Sequence, residues 1–570
     1  MSKRGKVHQI HAMKHEAVEW LKGRKERLRR FLTRLPAARR SASGLTFHPA
    51  LRLGLLLCAL SPSSGLGQKS AVEKTPVPPP EFSMPGSCHS NPFLLELRVP
   101  TAASGTFIRY TLDGAEPTVT SPLYNRALNI RNSTYLRARS FVPDSAPSPV
   151  VSHTYTLFAN EFQAFRSSLP LLVIETFGQP IPHRTKVLGS FQMIEPKGTA
   201  ASLTNPVTWE GRLEISQRGN TSRKFPKRSY TIKLLNAQGE ASKVPLGELP
   251  EDSDWVLYAP YFDRTQLRDV LAYELSNGIG RYAPRTRFVE VFLSEGGGRM
   301  ENRHYVGLYV LAEKIKRGRS RINLDEGSIA AGGTDSRGGY LFKMDHVDPG
   351  EKGFHTARGL HFLYVHPKER EITGEQSAWL VNFLNQFERT LHGRAFADPK
   401  EGYAHFLDVD AFIDHYWLVE MCKNVDGFRF SAFLQLSPGG KLKLGPIWDW
   451  DQSFGNANFF GGDDPEGWYW PNIRATEINW FARLNQDPQF RRRTIDRWME
   501  LRRGPFETSR IFQRIDALVA SMAEAQQRNS NRWPTRRSYP DYISQMKQWI
   551  QVRVDWIDRE LASTSGRQDK

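Results

Sequence analysis

Residues 445–455 read Gly445-Pro446-Ile447-Trp448-Asp449-Trp450-Asp451-Gln452-Ser453-Phe454-Gly455, two aspartates interleaved with two tryptophans. A carboxylate set between two indoles is costly to leave unpaired, which favours a metal-binding or hydrogen-bonded role for Asp449. The plainer reading makes Trp448 and Trp450 core residues and Asp449 the cap of a loop. Upstream, Val409 to Met421 has helical character and ends at Lys423-Asn424-Val425-Asp426-Gly427. Ala432 to Leu436 and Lys441 to Leu444 then read as strands joined at Pro438-Gly439-Gly440. A helix ending in Asn-x-Asp, a short hairpin and an acidic turn would bring Asp426 and Asp449 to one place.

Further toward the N-terminus stands Gln217-Arg218-Gly219-Asn220-Thr221-Ser222-Arg223, followed by Lys227 and the strand-like Ser229-Tyr230-Thr231-Ile232-Lys233-Leu234. Such a turn can offer backbone N–H groups to a phosphate, and a strand lysine can match the phosphate's charge. Alternation puts Lys227 and Lys233 on one face of the strand, with Tyr230, Ile232 and Leu234 on the other; an ordinary hairpin with a solvated face fits the same residues. Asp263 to Ile279 carries Leu267, Val270, Leu271, Glu274 and Leu275 at helical spacing behind Asp263 as N-cap candidate. Phe288 to Leu293 and Gly307 to Lys314 read as strands joined by a turn at Glu295 to Arg299. Strand, lysine strand, helix and two further strands is the layout of a kinase N-terminal lobe, and of many other α+β folds. Trp480 to Leu561 has the periodicity of three or four helices.

Residues 95–157 form a separate pattern. Ile108, Tyr110 and Leu112 alternate with Arg109 and Thr111, and Leu136 and Ala138 with Arg137 and Arg139. Asp113-Gly114 and Pro143-Asp144 supply turns, so a small all-β, immunoglobulin-like sandwich is expected. Residues 69–94, rich in Pro and Ser, read as a linker. In front of it, residues 1–52 hold 14 Lys/Arg against 3 Glu, which concentrates +11 of the chain's +18 there. The short apolar run Leu51 to Leu60 and the small residues Ser61 to Gly67 follow. Basic, short apolar, then small is the order of an export signal, so residues 1–68 are expected to be a leader and the protein to be secreted, periplasmic or on the cell surface. The body is only mildly basic, which argues against nucleic acid as a partner. The apolar run is too short to span a bilayer, so no stable transmembrane segment is expected once the signal is removed. Three cysteines in 570 residues give no disulfide framework, and Cys88 and Cys422 read as free thiols.

Two resemblances follow from these motifs. Tyr110-Thr111-Leu112-Asp113-Gly114-Ala115-Glu116-Pro117-Thr118, Ser121-Pro122-Leu123-Tyr124 and His153-Thr154-Tyr155 are similar to the chitobiase/β-hexosaminidase C-terminal-type module, which implies a spacer or glycan-contacting role. The run Arg218 to Leu234, the segment Gly307 to Ile315, Asn424-x-Asp426 and the Trp448 to Gly455 run together resemble the spore-coat protein H (CotH) kinase family of atypical, secreted protein kinases. That likeness implies a two-lobed, protein-kinase-like domain over residues 165–562, mixed α+β, with a polar tail at 563–570. It implies ATP and Mg²⁺ or Mn²⁺, with transfer of the γ-phosphate to serine hydroxyls of exported or surface proteins. Asp426 matches the catalytic aspartate and Asp449 the metal-binding one, with Asp451 as a second metal ligand. Arg218, Asn220, Lys227, Lys233 and Glu313 match the ATP-binding side, the choice between the two lysines staying open, and Arg268 belongs to the helix motif. One departure stands out: the position five after Asp426, where kinases carry a metal-binding Asn, is Ser431. The alternative function is therefore a non-catalytic envelope or adhesion protein that keeps the fold, with a cell-wall or extracellular glycan as partner.

Overall fold

The computed structural model describes residues 77–324 and 339–568. The leader, its signal-like run, the 69–76 stretch and residues 569–570 lie outside the described residues. Lys74 to Lys570 form one compact unit. Its architecture is mixed α+β, and no helix among the described residues is long and apolar enough to cross a membrane.

The N-terminal module is a β-sandwich, as the alternation predicts. Its four-stranded sheet runs in the order Ser87–His89, Val151–Leu157, Thr134–Phe141, Phe107–Thr111, and Phe93–Leu95 pairs with Leu128–Ile130. Leu95, Ile108, Ile130, Leu136, Ala138 and Tyr155 form its core. Leu112 departs from the alternation: the strand ends at Thr111 and the leucine is exposed. The linker reading of residues 69–94 is corrected over its described part. Glu81–Phe82 pairs with Leu97–Arg98, Ser87–His89 joins the sheet, and the Tyr155 hydroxyl donates to Met84 O at 2.8 Å. The backbone polar groups of this stretch are used in pairing, which its proline content conceals.

Seven strands then close into a barrel: β1 (Leu171–Glu175), β2 (Val187–Ile194), β3 (Trp209–Arg218), β4 (Ser229–Leu235), β5 (Asp254–Tyr258), β6 (Thr286–Ser294) and β7 (Tyr305–Glu313). The order is β1-β2-β3-β4-β5-β7-β6, and a parallel pairing of β6 with β1 completes the ring. Closure removes both sheet edges. Tyr230, Ile232, Leu234, Trp255, Leu257 and Tyr309 fill the interior with their neighbours. The opposite faces of β5 and β7 carry Val256, Val310 and Ala312, which pack on helix α1 (Arg268–Gly278). That helix starts later than Asp263, whose carboxylate accepts the Arg268 N–H at 2.9 Å from ahead of the first turn.

The same large core continues into a five-stranded sheet, β8 (Tyr340–Met344), β9 (Phe354–His355), β10 (His361–His366), β11 (Ala432–Leu436) and β12 (Leu442–Leu444), ordered β9-β10-β8-β11-β12. Helices α2 (Gly374–His392) and α3 (Val409–Cys422) pack on it, followed by α4 (Pro488–Arg502), α5 (Thr508–Ser521), α6 (Ala523–Arg532) and α7 (Tyr539–Gln568). The tail expected at 563–570 is helical through Gln568. Arg553 of α7, wholly buried, pairs with Glu420 of α3 at 2.8 Å and ties the last helix to the segment that leads to Asp426.

The sandwich is welded to the barrel. Glu210 of β3 accepts N–H groups from Thr154 (3.0 Å) and Gly86 (3.2 Å) and contacts His153 Nδ1 at 2.6 Å. Arg137, expected to face solvent, is buried and donates to Ala237 O at 2.8 Å in the β4 hairpin. The connecting residues Phe158, Phe162 and Phe165 pack edge-on around Phe292 of β6. Glu210→Ala would strand two amide donors at this joint, so a loss of about 1–3 kcal/mol in urea unfolding is expected, with earlier proteolytic release of the module. A module that merely hangs on a tether would show neither change.

Candidate functional site

The loop after β12 is held by α1 beneath it. Asp449 sits in the left-handed region at φ +62°, which Asp tolerates better than most residues. Its N–H donates to the Tyr273 hydroxyl at 3.0 Å, and the next N–H, of Trp450, donates to Asp269. Trp450 is buried, the Arg268 Nε donates to Ser453 O at 2.9 Å, and the Phe454 N–H donates to Cys422 O at 2.7 Å at the end of α3. Both plain readings of the motif are therefore partly right: Trp450 is core and the loop is hydrogen-bonded throughout, yet Asp449 itself reaches solvent. Trp448 stacks on Tyr273 at 6.2 Å and carries the Arg218 guanidinium over its ring at 4.8 Å. The tip of β3 is thereby set against the aspartate loop.

Asp426 lies where α3 ends. Lys423 takes the left-handed C-cap conformation at φ +46°, and buried Asn424 accepts the Asp426 N–H at 2.9 Å. The Asp426 carbonyl in turn accepts the Arg429 and Phe430 N–H groups at 2.8 Å each, which fixes the turn. Burial pushes the Asp426 carboxyl up to about 6; nearby Arg429 opposes this, and Asp449, Asp345 and Glu477 add to it. Asp449 is raised by burial and by Asp345, against the pull of Arg218, Lys343 and His346.

The structure thus brings Asp426 to Asp449 and Asp449 to Arg218, with further groups that sequence reasoning missed close by. Lys343 and Asp345, an ion pair at 2.6 Å at the end of β8, lie beside Asp449, and Asp345 also faces Asp426. Lys314, directly after β7, is exposed and lies on the Arg218 side of the site. Its ammonium is lowered by burial and by Lys186, Arg218 and Lys316, against Asp254. The signal was present as alternation: Lys314 continues the outward register of Val310 and Ala312.

Other expected site residues lie elsewhere. Lys227 precedes the strand and is buried behind the barrel, donating to Leu308 O and, at 2.8 Å, to Asn529 Oδ1 of α6. It joins barrel to helix and does not share a face with Lys233. Lys233 is half-buried on the outer face of β4, between Glu214 and Asp254 in register. Glu313 is fully buried and grips Arg285 at 2.7 and 2.9 Å, while its N–H donates to Arg285 O. Its backbone is spent in pairing and offers no free edge to an adenine. Asn220 is exposed in the β3–β4 turn. Asp451 turns away from Asp426 and accepts the Tyr258 hydroxyl at 3.1 Å.

Asp451, Asp269, Asp263 and Asp449 crowd together, and burial raises Asp451 far above its ordinary value. Among the described residues no three His, Cys, Asp or Glu side chains already converge as a metal site. The donor chemistry nonetheless fits a hard divalent cation: carboxylate oxygens in excess of the cations that balance them.

This fold and cleft define a kinase-like protein with a β-rich accessory module. The family model described as CotH kinase protein matches residues 215–557, three-fifths of the chain, and one described as Fn3 associated matches residues 96–155. The chain belongs to the CotH kinase family. No curated protein matches it.

The carboxylate crowding has a measurable consequence. Burial first, then Asp449, raises Asp269 to about 8 from an ordinary 3.8. Between those values the folded chain holds a proton that the unfolded chain has released, so this group's contribution to stability falls as pH rises through 8. In metal-free buffer, Asp269→Asn keeps the acceptor for Trp450, and its melting temperature should exceed that of the natural chain by a margin that widens from about pH 4 to 8. Parallel melting curves across that range would contradict the crowding.

Proposed function

We propose that the chain is an atypical, two-lobed protein kinase, exported to the cell surface or beyond, that transfers the ATP γ-phosphate to serine hydroxyls of exported proteins. The observation that carries this reading is the meeting of Asp426 and Asp449 with one another and of Asp449 with Arg218, beside which Lys314 lies. The barrel and α1 would form the lobe that grips nucleotide, and the five-stranded sheet with α2–α7 the lobe that carries the aspartates.

Arg218 and Lys314 bind the phosphates and offset their charge. Asp449 and, after a turn of its side chain, Asp451 would hold Mg²⁺ or Mn²⁺. A bound ion would supply charge neutralisation for the transferring phosphoryl group. Asp426 orients the acceptor hydroxyl and takes its proton as the serine oxygen bonds to the γ-phosphorus and the bond to the β-phosphate oxygen breaks. Lys343, paired with Asp345, keeps the second carboxylate from repelling the incoming phosphates. We further assign the sandwich, an Fn3-associated module, to the chitobiase/β-hexosaminidase C-terminal type, with a cell-wall or extracellular glycan as its partner. The body's mild charge supports no nucleic-acid role.

Ser431, where kinases carry a metal-binding Asn, favours the second reading, an envelope protein that keeps the fold without the reaction. Purified chain with labelled ATP and Mg²⁺ or Mn²⁺ separates the two. The kinase reading expects label transfer, a loss of about a hundredfold or more in Asp426→Asn and a comparable loss in Lys314→Met. The rate should also fall on the acid side of about pH 6, because Asp426 must be ionised to accept a proton. No transfer from any chain, with no ATP-dependent rise in melting temperature, would favour the envelope reading.

A further inference from the structure

Large apolar side chains that stay exposed in pairs beside a reactive group call for a partner. Phe459 and Phe460 are 41% and 46% exposed, with their rings 5.6 Å apart. Phe460 holds φ +52°, a conformation that bulky residues rarely keep without a reason. Arg429 lies between this pair and the candidate reaction centre. Its guanidinium stands 4.5 Å from the Phe460 ring and 4.5 Å from Phe430, with Nε 3.5 Å from the Asp426 carboxylate.

The surface continues past Asp426 on the other side. His346 stacks on Phe430 at 3.8 Å, and Val347 beside it is 50% exposed. An apolar and aromatic ribbon therefore runs from Val347 to Phe459, with Asp426 beside its middle. Arg429 is balanced by Asp426 and by Glu477 at 3.9 Å. Arg474, exposed and 5.6 Å over Phe460, makes no ion pair among the described residues.

We propose that this ribbon is the docking platform for the acceptor segment, and that it selects an apolar residue close to the acceptor serine together with a carboxylate that reaches Arg474. The proposal rests on the kinase reading for the identity of its occupant. The ribbon gives the flanking residue a dry surface on which to lie, which holds the hydroxyl within reach of Asp426. The unpaired guanidinium supplies charge complementarity at one end.

The test uses the full chain and two fluorescein-labelled decapeptides, one with leucine and glutamate flanking its serine and one with lysine in both places. Fluorescence anisotropy should show the first binding at least tenfold more tightly than the second. Phe460→Ala and the surface change Arg474→Glu should each erase most of that preference, with ATP binding unaltered. Equal binding of the two peptides, or a preference untouched by both variants, would overturn the platform even if label transfer occurs. Selective binding that both variants abolish, in a chain that transfers no label, would uphold the platform and sink the kinase reading instead.

Discussion

The geometry of the cleft depends on one constraint: α1 holds the aspartate loop from below through hydrogen bonds to consecutive backbone amides. Tyr273 takes the N–H of Asp449 and Asp269 takes that of Trp450, with Trp450 driven into the core as the anchor. This fixes Asp449 in a left-handed conformation and sends its carboxylate outward. Because α1 also packs on β5 and β7, the loop inherits its position from the barrel. The aspartate loop and, through Trp448, the strand end that carries Arg218 are thus referred to one rigid element.

The second theme is unbalanced charge. Asp263 is matched by Arg268, and Asp345 by Lys343, but Asp449, Asp451 and Asp269 have fewer cations than their number demands. Burial raises all three carboxyls, Asp449 adds to the rise at Asp269 and Asp451, and Asp345 adds to that at Asp449. A site of this kind costs stability in the absence of a cation and regains it when one binds, a trade familiar at functional sites. The welded sandwich and the buried Arg553–Glu420 pair stiffen the frame around it.

Local signals carried much of this through the sequence. Asn424-x-Asp426 at a helix end, the hairpin and the Trp–Asp alternation placed Asp426 and Asp449 together, because helix ends and tight turns are written in a few adjacent residues. Long-range placement was not legible. Lys227 looked like a phosphate ligand in its own strand, yet its partner is Asn529, three hundred residues on. Glu313 and Lys314 differ only in register, and a shift of one residue exchanges a buried position for an exposed one. Asp269 carried no signal of its own, since its role depends on a loop far along the chain. The closure of the barrel rests on the parallel β1–β6 pairing, which no local pattern encodes.

Calorimetric titration of the metal-free chain with Mg²⁺ and ATP at pH 7, in buffers of differing ionisation enthalpy, tests the account most directly. It predicts binding accompanied by net proton release, as the cation displaces protons from the crowded carboxylates, with the release much reduced in Asp449→Asn. Binding with no proton release, or no binding at all, would contradict the claim that this cleft is built for a metal-bound nucleotide.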